Sequence, residues 1–107
     1  MIELKELMAI DTDWVEIICL REYSVVLHSR VTGHDWYLLE KEANGHRTFQ
    51  ISHRHEPSKP FHPQKNRPSI ESCCEYIKDH DTFHLKRIKH KEEMRKRSRY
   101  RRDHGGL

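Results

Sequence analysis

A chain of 107 residues, of which 35% are hydrophobic and 35% charged, has the size of one domain with a modest core. No stretch approaches the roughly 18 consecutive apolar residues of a membrane span, and the acidic start differs from a secretory signal. Three cysteines, two of them adjacent at Cys73 and Cys74, do not form a disulfide framework. The sequence therefore predicts a cytoplasmic protein with reduced thiols.

Charge divides the chain into two unequal parts. Residues 1–85 hold ten Lys and Arg against fourteen Asp and Glu, a net charge of −4. Residues 86–102 hold ten Lys and Arg against two Glu, a net charge of +8. Such a split predicts the kind of partner rather than the fold, because a concentrated positive charge attracts anionic surfaces.

The first half of the chain has the pattern of a sheet. Residues 2–9 can form a short helix with Leu4, Leu7 and Met8 on one side. Four candidate strands follow between residues 14 and 55, because β-branched and aromatic residues cluster there. Their sequences are WVEIICL, which has the character of a buried strand, YSVVLHSRV, DWYLLEKE and HRTFQISHRH.

Two turns set the expected strand register. Asn44-Gly45 is a strong hairpin signal, because both residues of a two-residue turn of this type need positive φ. The pairs that follow are Trp36 with His53, Leu38 with Ile51, and Glu40 with Phe49. A second turn at Thr32-Gly33 would place Leu27 opposite Leu38 on the same buried face.

The second half of the chain begins with a proline-rich stretch at 56–68. Its four prolines predict a stiff crossover arm without regular pairing. Ser69 can then cap a helix at 69–80, and the apolar residues at i, i+3, i+4 and i+7 form one stripe. These residues are Ile70, Cys73, Cys74 and Ile77. The letters DHDT indicate a break after this helix, and residues 82–88 are compatible with a strand or a helix.

These elements predict an α+β fold. It is a four-stranded antiparallel β-meander with one amphipathic helix packed on a face, a proline-rich crossover arm and a basic C-terminal segment. We expect a single domain at 1–88, followed by a segment at 89–107 that is helical or disordered.

The basic segment is the first candidate site. Arginine forks match phosphate oxygens, and an aromatic side chain can stack on a base. The candidate nucleic-acid-binding residues are Lys86, Arg87, Lys89, Lys91, Arg95, Lys96, Arg97, Arg99, Tyr100, Arg101 and Arg102. The other interpretation is a solvated tail that keeps the protein soluble, or one that folds back on residues 1–85, which we call the body and which are acidic overall.

The histidines are the second candidate site, because ten of the 107 residues are His. Histidine and cysteine are ligands that zinc prefers, and Cys73 or Cys74 could join a site. The candidate metal ligands are His53, His55, His62, His80 and His84. None has the spacing of a strong zinc motif. In the alternative without a metal, His53 stacks on Trp36, and the other histidines face solvent or form hydrogen bonds.

Two further possibilities concern catalysis and protein contact. Histidines beside Lys or Arg could act as general acid and base in a small nuclease, but no catalytic motif is present, so we expect no enzymatic activity. The two adjacent cysteines lie on the predicted buried stripe, which argues against a nucleophile. The proline arm could contact a protein, or it could strap the sheet edge with its aromatic residue sealing the core. The candidate contact residues are Phe61, Lys59, Lys65 and Arg67.

No motif assigns the chain to a family. Its general character, which is short, histidine-rich and divided in charge, is similar to that of small accessory proteins of phages and mobile elements. The preferred hypothesis is a non-enzymatic module that binds nucleic acid or a nucleoprotein complex through its basic segment. The alternative is an inhibitor of the anti-CRISPR type that binds and blocks a host protein or nucleoprotein. A second alternative is a histidine-based metal protein or small nuclease, with zinc as its metal.

Overall fold

The computed structural model describes residues 1–104 and the side chains of residues 1–97. Five strands form one antiparallel sheet in the order β1-β2-β3-β4-β5, and each strand pairs with the next in sequence. The elements are α1 (Leu4–Leu7), β1 (Val15–Leu20), β2 (Ser24–Ser29), β3 (Asp35–Ala43), β4 (His46–Arg54), β5 (His62–Arg67) and α2 (Ile70–His104). The predicted α+β class, with an antiparallel sheet and a C-terminal helix, is confirmed.

The predicted count of four strands is wrong, because part of the proline arm forms β5. Its residues pair with β4, and Pro63 lies opposite Ser52 at an irregularity in the register. Proline is tolerated here because β5 is an edge strand, where a missing backbone N–H removes no pairing on the outer side. The prediction of an arm without regular pairing is therefore wrong for residues 62–67.

The β3–β4 hairpin has the predicted register. Asn44 and Gly45 have φ values of 53° and 75°, which a turn with two left-handed residues requires. Trp36 lies opposite His53, and Leu38 lies opposite Ile51. These apolar side chains are fully buried, so the alternation in the sequence correctly predicts the inner face.

The β2–β3 register differs from the prediction by two residues. Leu27 lies opposite Trp36 rather than Leu38, because the connection spans residues 30–34 and has a positive φ at Gly33 alone among its residues. The hydroxyl of Ser29 accepts the backbone N–H groups of Val31 and Thr32 at 3.2 and 3.1 Å, which shapes the longer loop. A shift of two preserves which face each side chain occupies, so the core is unaffected.

The core lies between the inner face of the sheet and the first part of α2. The helix contributes the stripe that the sequence predicts, Ile70, Cys73, Cys74 and Ile77. The hydroxyl of Ser69 accepts the backbone N–H of Ser72 at 3.1 Å and so caps the helix. Burial raises the pKa of Cys73 to about 12 and that of Cys74 to about 11, which makes both thiols poor nucleophiles.

The N-terminal region and β1 pack differently from the prediction. Ile2 and Ile10 enter the core, and Leu7 packs against it. Leu4 and Met8 are exposed, so the predicted apolar side of this helix is wrong for these two residues. Strand β1 is an edge strand rather than a buried one, and Ile18 and Leu20 are half exposed. The apolar run around them reflects β propensity rather than burial.

Helix α2 continues through the point where the sequence predicts a break. Asp81 is fully buried there and accepts hydrogen bonds from Trp14 Nε1 at 2.8 Å, Ser29 Oγ at 2.6 Å and Thr32 Oγ1 at 3.2 Å. These contacts hold the helix against the loops and override the weak local preference for a break. The helix has 35 residues, and at about 1.5 Å per residue it is about 52 Å long.

The long helix gives the molecule an elongated shape of 70 × 27 × 25 Å. Within the region that the structure describes, no helix is both long enough and apolar enough to cross a membrane.

Candidate functional site

The C-terminal part of α2 extends beyond the sheet. Among the helix side chains that the structure describes, Asp81 is the last fully buried one and His84 is half-buried, while every side chain from Leu85 to Arg97 is exposed. Residues 85–104 therefore project from the sheet as about 30 Å of helix, which we call the helical extension. The exposure of its apolar residue Ile88 shows that this region does not pack into the core.

The helical extension carries the predicted basic residues. Seven of them are described and exposed, namely Lys86, Arg87, Lys89, Lys91, Arg95, Lys96 and Arg97. At about 100° per residue, Lys86 and Arg97 lie on one side of the helix and Arg95 lies on the opposite side. Basic side chains therefore surround the helix rather than forming one stripe. The side chains of Arg99, Tyr100, Arg101 and Arg102 fall outside the described residues.

A second feature is a group of histidines at one end of the sheet, which we call the histidine cluster: His34, His53, His55, His80 and His84. His34 precedes β3, His53 lies near the end of β4 and His80 is on α2. His34 and His53 are buried, with 5% of each exposed. Three separate parts of the chain thus meet at this place.

The three inner histidines are close enough to act together. His53 Nε2 and His34 Nδ1 lie 3.0 Å apart, within hydrogen-bonding distance. One ring nitrogen from each of His34, His53 and His80 lies within 4.8 Å of the other two. The ring of His53 packs on Trp36, with centroids 4.2 Å apart. The alternative without a metal predicts this contact. His80 contacts the same indole edge-on at 5.0 Å.

Burial keeps these imidazoles neutral. Desolvation, with a further contribution from His55, lowers the pKa of His34 to about 4. Desolvation is the main cause that lowers the pKa of His53 to about 3, and the neighbouring His80 is the second. Desolvation also lowers the pKa of His80, although the carboxylate of Asp81 opposes this shift. All three rings are therefore unprotonated at neutral pH, which is the form that accepts protons or binds metal ions.

The outer two histidines of the cluster stand at its rim. The His55 ring stacks on His34, with centroids 4.3 Å apart and an interplanar angle of 16°. The His84 ring approaches His34 edge-on at 4.8 Å. His62 is exposed opposite His53, in the lining of an adjoining cavity of ≈ 380 Å³. Four of the five predicted histidines thus meet in the cluster, and Cys73 and Cys74 are absent from the metal-compatible group found among the described residues.

Sequence reasoning did not select His34, although the hairpin register contains the signal. If the pairing of Trp36 with His53 continues by one more step along the same face, His34 lies opposite His55. The stacking of these two rings agrees with that extension. The pairing of His34 with His55 was not predicted, because His34 lies in the loop just before β3.

The four candidate contact residues of the arm do not form one surface. Phe61 packs on the outer face of the sheet, 5.6 Å from the Tyr37 ring, with the Arg54 guanidinium 4.2 Å from its own ring centroid. It therefore does not seal the core. Arg67 turns to the helix side, 5.6 Å from the Tyr76 ring, whereas Lys59 and Lys65 are exposed.

The fold and these features define a small α+β protein with a basic helical extension and a histidine cluster. Comparisons with protein-family models, with curated proteins and with solved structures gave no match. Function is therefore inferred from the residues themselves.

Proposed function

We propose that the protein is a non-enzymatic module that binds nucleic acid, alone or within a nucleoprotein complex, through its helical extension. The observation that supports this proposal is the density of exposed charge. Residues 86–97 carry seven Lys and Arg against two Glu, and they occupy about 18 Å of helix. Residues 1–85 have a net charge of −4, so attraction to phosphates would come mainly from the helical extension.

The dimensions of the helical extension favour a duplex as its partner. A helix with side chains is about 10–12 Å wide, and the major groove of B-DNA is about 12 Å wide and admits such a helix. Basic residues on all sides could reach phosphates on both walls of the groove. Proteins that bind single strands stack successive bases on several aromatic side chains, whereas residues 85–104 contain a single aromatic residue, Tyr100.

A pair of charge-matched variants tests this proposal. R95Q/K96Q/R97Q removes three positive charges from the helical extension, and glutamine preserves helix propensity. K41Q/K59Q/K65Q removes three exposed positive charges from the body and serves as the control. Binding is measured by fluorescence anisotropy with a labelled 20-base-pair DNA duplex over a series of salt concentrations, with single-stranded RNA of equal length for comparison.

We expect the wild-type affinity to fall steeply with salt, with a slope of about −0.9 for each phosphate contacted. The helix variant should bind at least about tenfold more weakly, and its slope should be shallower by about one for each phosphate that it no longer binds. The control variant should match the wild type within about twofold. No binding at roughly 0.15 M salt, or equal weakening by both variants, would contradict the proposal.

The alternative of an inhibitor that blocks a protein or nucleoprotein remains a prediction. Its contact would use the sheet and the arm, where Lys59 and Lys65 are exposed. If the control variant lost duplex binding and the helix variant retained it, the nucleic-acid contact would lie on the sheet and the arm rather than on the helical extension.

A further inference from the structure

We propose that His34, His53 and His80 form a binding site for a divalent transition metal ion, with zinc as the preferred ion. The proposal is independent of nucleic-acid binding, because these three histidines lie at the end of the sheet and outside the helical extension. It rests on the convergence of three imidazole nitrogens, on a buried nitrogen without a partner and on an access route from solvent.

The geometry is close to that of a three-histidine site. Zinc binds imidazole nitrogen at about 2.0–2.1 Å, so nitrogens around a tetrahedral ion are about 3.3 Å apart. Two of the nitrogens here, His53 Nε2 and His34 Nδ1, already lie 3.0 Å apart. One nitrogen from each of the three rings lies within 4.8 Å of the others, so ring rotations that bring the nitrogens closer by up to about 1.5 Å would give the coordination distances.

The hydrogen bonds of the cluster are incomplete. His80 Nδ1 is buried and has no hydrogen-bond partner among the side chains and backbone that the structure describes. A buried polar atom without a partner is costly, and such atoms in native proteins call for an explanation such as an ion. The low pKa values of His34 and His53 agree with this explanation, because a metal ion binds the neutral imidazole.

The surroundings favour an imidazole-only ligand set. The two buried carboxylates next to these histidines in the chain already have partners: Asp81 accepts hydrogen bonds from Trp14, Ser29 and Thr32, and Asp35 contacts His28 and Arg54. Three imidazole ligands suit zinc, copper, iron or nickel rather than magnesium or calcium, which prefer oxygen. Zinc is the ion we choose, since three histidines and one open position are an established zinc ligand set.

The cluster can exchange an ion with solvent. The cavity of ≈ 380 Å³ is lined by His53, His55 and His62, and it opens beside the cluster. His55 is exposed and His84 is half-buried, so both stand between the inner histidines and solvent. The fourth coordination position would face these rim residues or a water molecule.

The test uses full-length protein without a histidine tag, freed of metal with a chelator and then titrated with zinc chloride. Zinc binding is measured by competition with a chromophoric chelator, and the melting temperature is measured with and without zinc. H34Q, H53Q and H80Q are the site variants. The control is H46Q/H90Q, which removes two exposed histidines outside the cluster.

We expect one zinc ion per chain and a rise in melting temperature on the order of 10 °C at a hundredfold excess over the dissociation constant. Loss of a supporting residue around a metal weakens affinity by about 10- to 100-fold, and each site variant should weaken it by more than that. H80Q is the decisive variant, because His80 is half-buried on a helix and its replacement should leave the metal-free fold intact. Zinc uptake that is weak, not stoichiometric, or equally reduced in the H46Q/H90Q control would overturn the proposal.

Discussion

Asp81 binds α2 to the loops at one end of the sheet through three side-chain hydrogen bonds. Its carboxylate accepts hydrogen bonds from Trp14, Ser29 and Thr32, and it is fully buried. Asp81→Ala would leave three donors without an acceptor, of which Ser29 is buried and Trp14 and Thr32 are half-buried. A buried unpaired donor costs about 1–3 kcal/mol. We expect a loss of about 3 kcal/mol or more in the free energy of unfolding, measured by urea denaturation.

The neighbouring substitution Asp79→Ala is the control for this measurement. Asp79 is exposed on the same helix, and surface substitutions usually change stability by less than about 0.5 kcal/mol. Equal midpoints for the two variants would show that the hydrogen bonds of Asp81 contribute little.

At the level of residues, prediction succeeded where the pattern was local. The buried row of Trp36, Leu38 and Ile51 follows from alternation in the sequence and the hairpin register. Asp81 could not be predicted as a buried anchor, because its three partners are 49 to 67 positions away along the chain. A charged residue in a polar stretch is normally solvated, and only the packed structure reverses that expectation.

Among the elements, the β3–β4 hairpin makes the clearest prediction. Gly45 has a φ of 75°, and a Cβ built on it would meet no atom within 4 Å. Gly45→Val should therefore act through backbone conformation alone, at about 1–2 kcal/mol or more for a left-handed residue. The melting temperature should fall by about 4–8 °C for each kcal/mol.

Gly45→Asn separates this cause from any other effect of adding a side chain. Asparagine tolerates the left-handed region, so this variant should retain most of the wild-type melting temperature. If Val and Asn lowered it equally, the positive φ would not be the reason.

The elements that were predicted correctly have signals within a few residues of themselves. The Asn44-Gly45 turn and the Ser69 cap are of this kind. Strand β5 and the continuation of α2 depend on distant partners, since β5 exists only as the outer neighbour of β4. Proline content and a DHDT sequence argue against regular structure locally, and tertiary contacts outweighed both.

For the whole molecule, we expect the body to fold without the end of the helix. Deletion of residues 89–107 removes no buried side chain among those that the structure describes. The truncated protein should therefore keep its melting temperature within a few degrees. It should also lose the proposed salt-dependent binding to a DNA duplex, which the same anisotropy assay measures.

A longer deletion provides the contrast. Removal of residues 80–107 takes away Asp81 and His80, and we expect it to unfold the protein or lower its melting temperature strongly. If the shorter deletion had the same effect, the helical extension would stabilise the fold rather than serve as an exposed contact.

The charge division of the chain could be seen in the sequence, but its geometry could not. Counting Lys and Arg indicates a basic segment, but it does not show how that segment is oriented relative to the sheet. The hydrogen bonds of Asp81 carry the helix across the predicted break, so the basic residues follow in line with the stripe that begins at Ile70. A local pattern cannot contain that information, because the donors belong to other parts of the chain.

The distribution of basic residues around the helical extension determines how the proposed contact responds to insertions and deletions in the helix. An insertion or deletion of one residue near position 86 would turn the body by about 100° relative to the helix end. A helix with one charged stripe would then point its contacts the wrong way. A helix that is charged on every side would keep its attraction to phosphates while the sheet adopted a new azimuth around the bound duplex. The proposed contact is thus insensitive to helical phase, and the orientation of the body is free to vary.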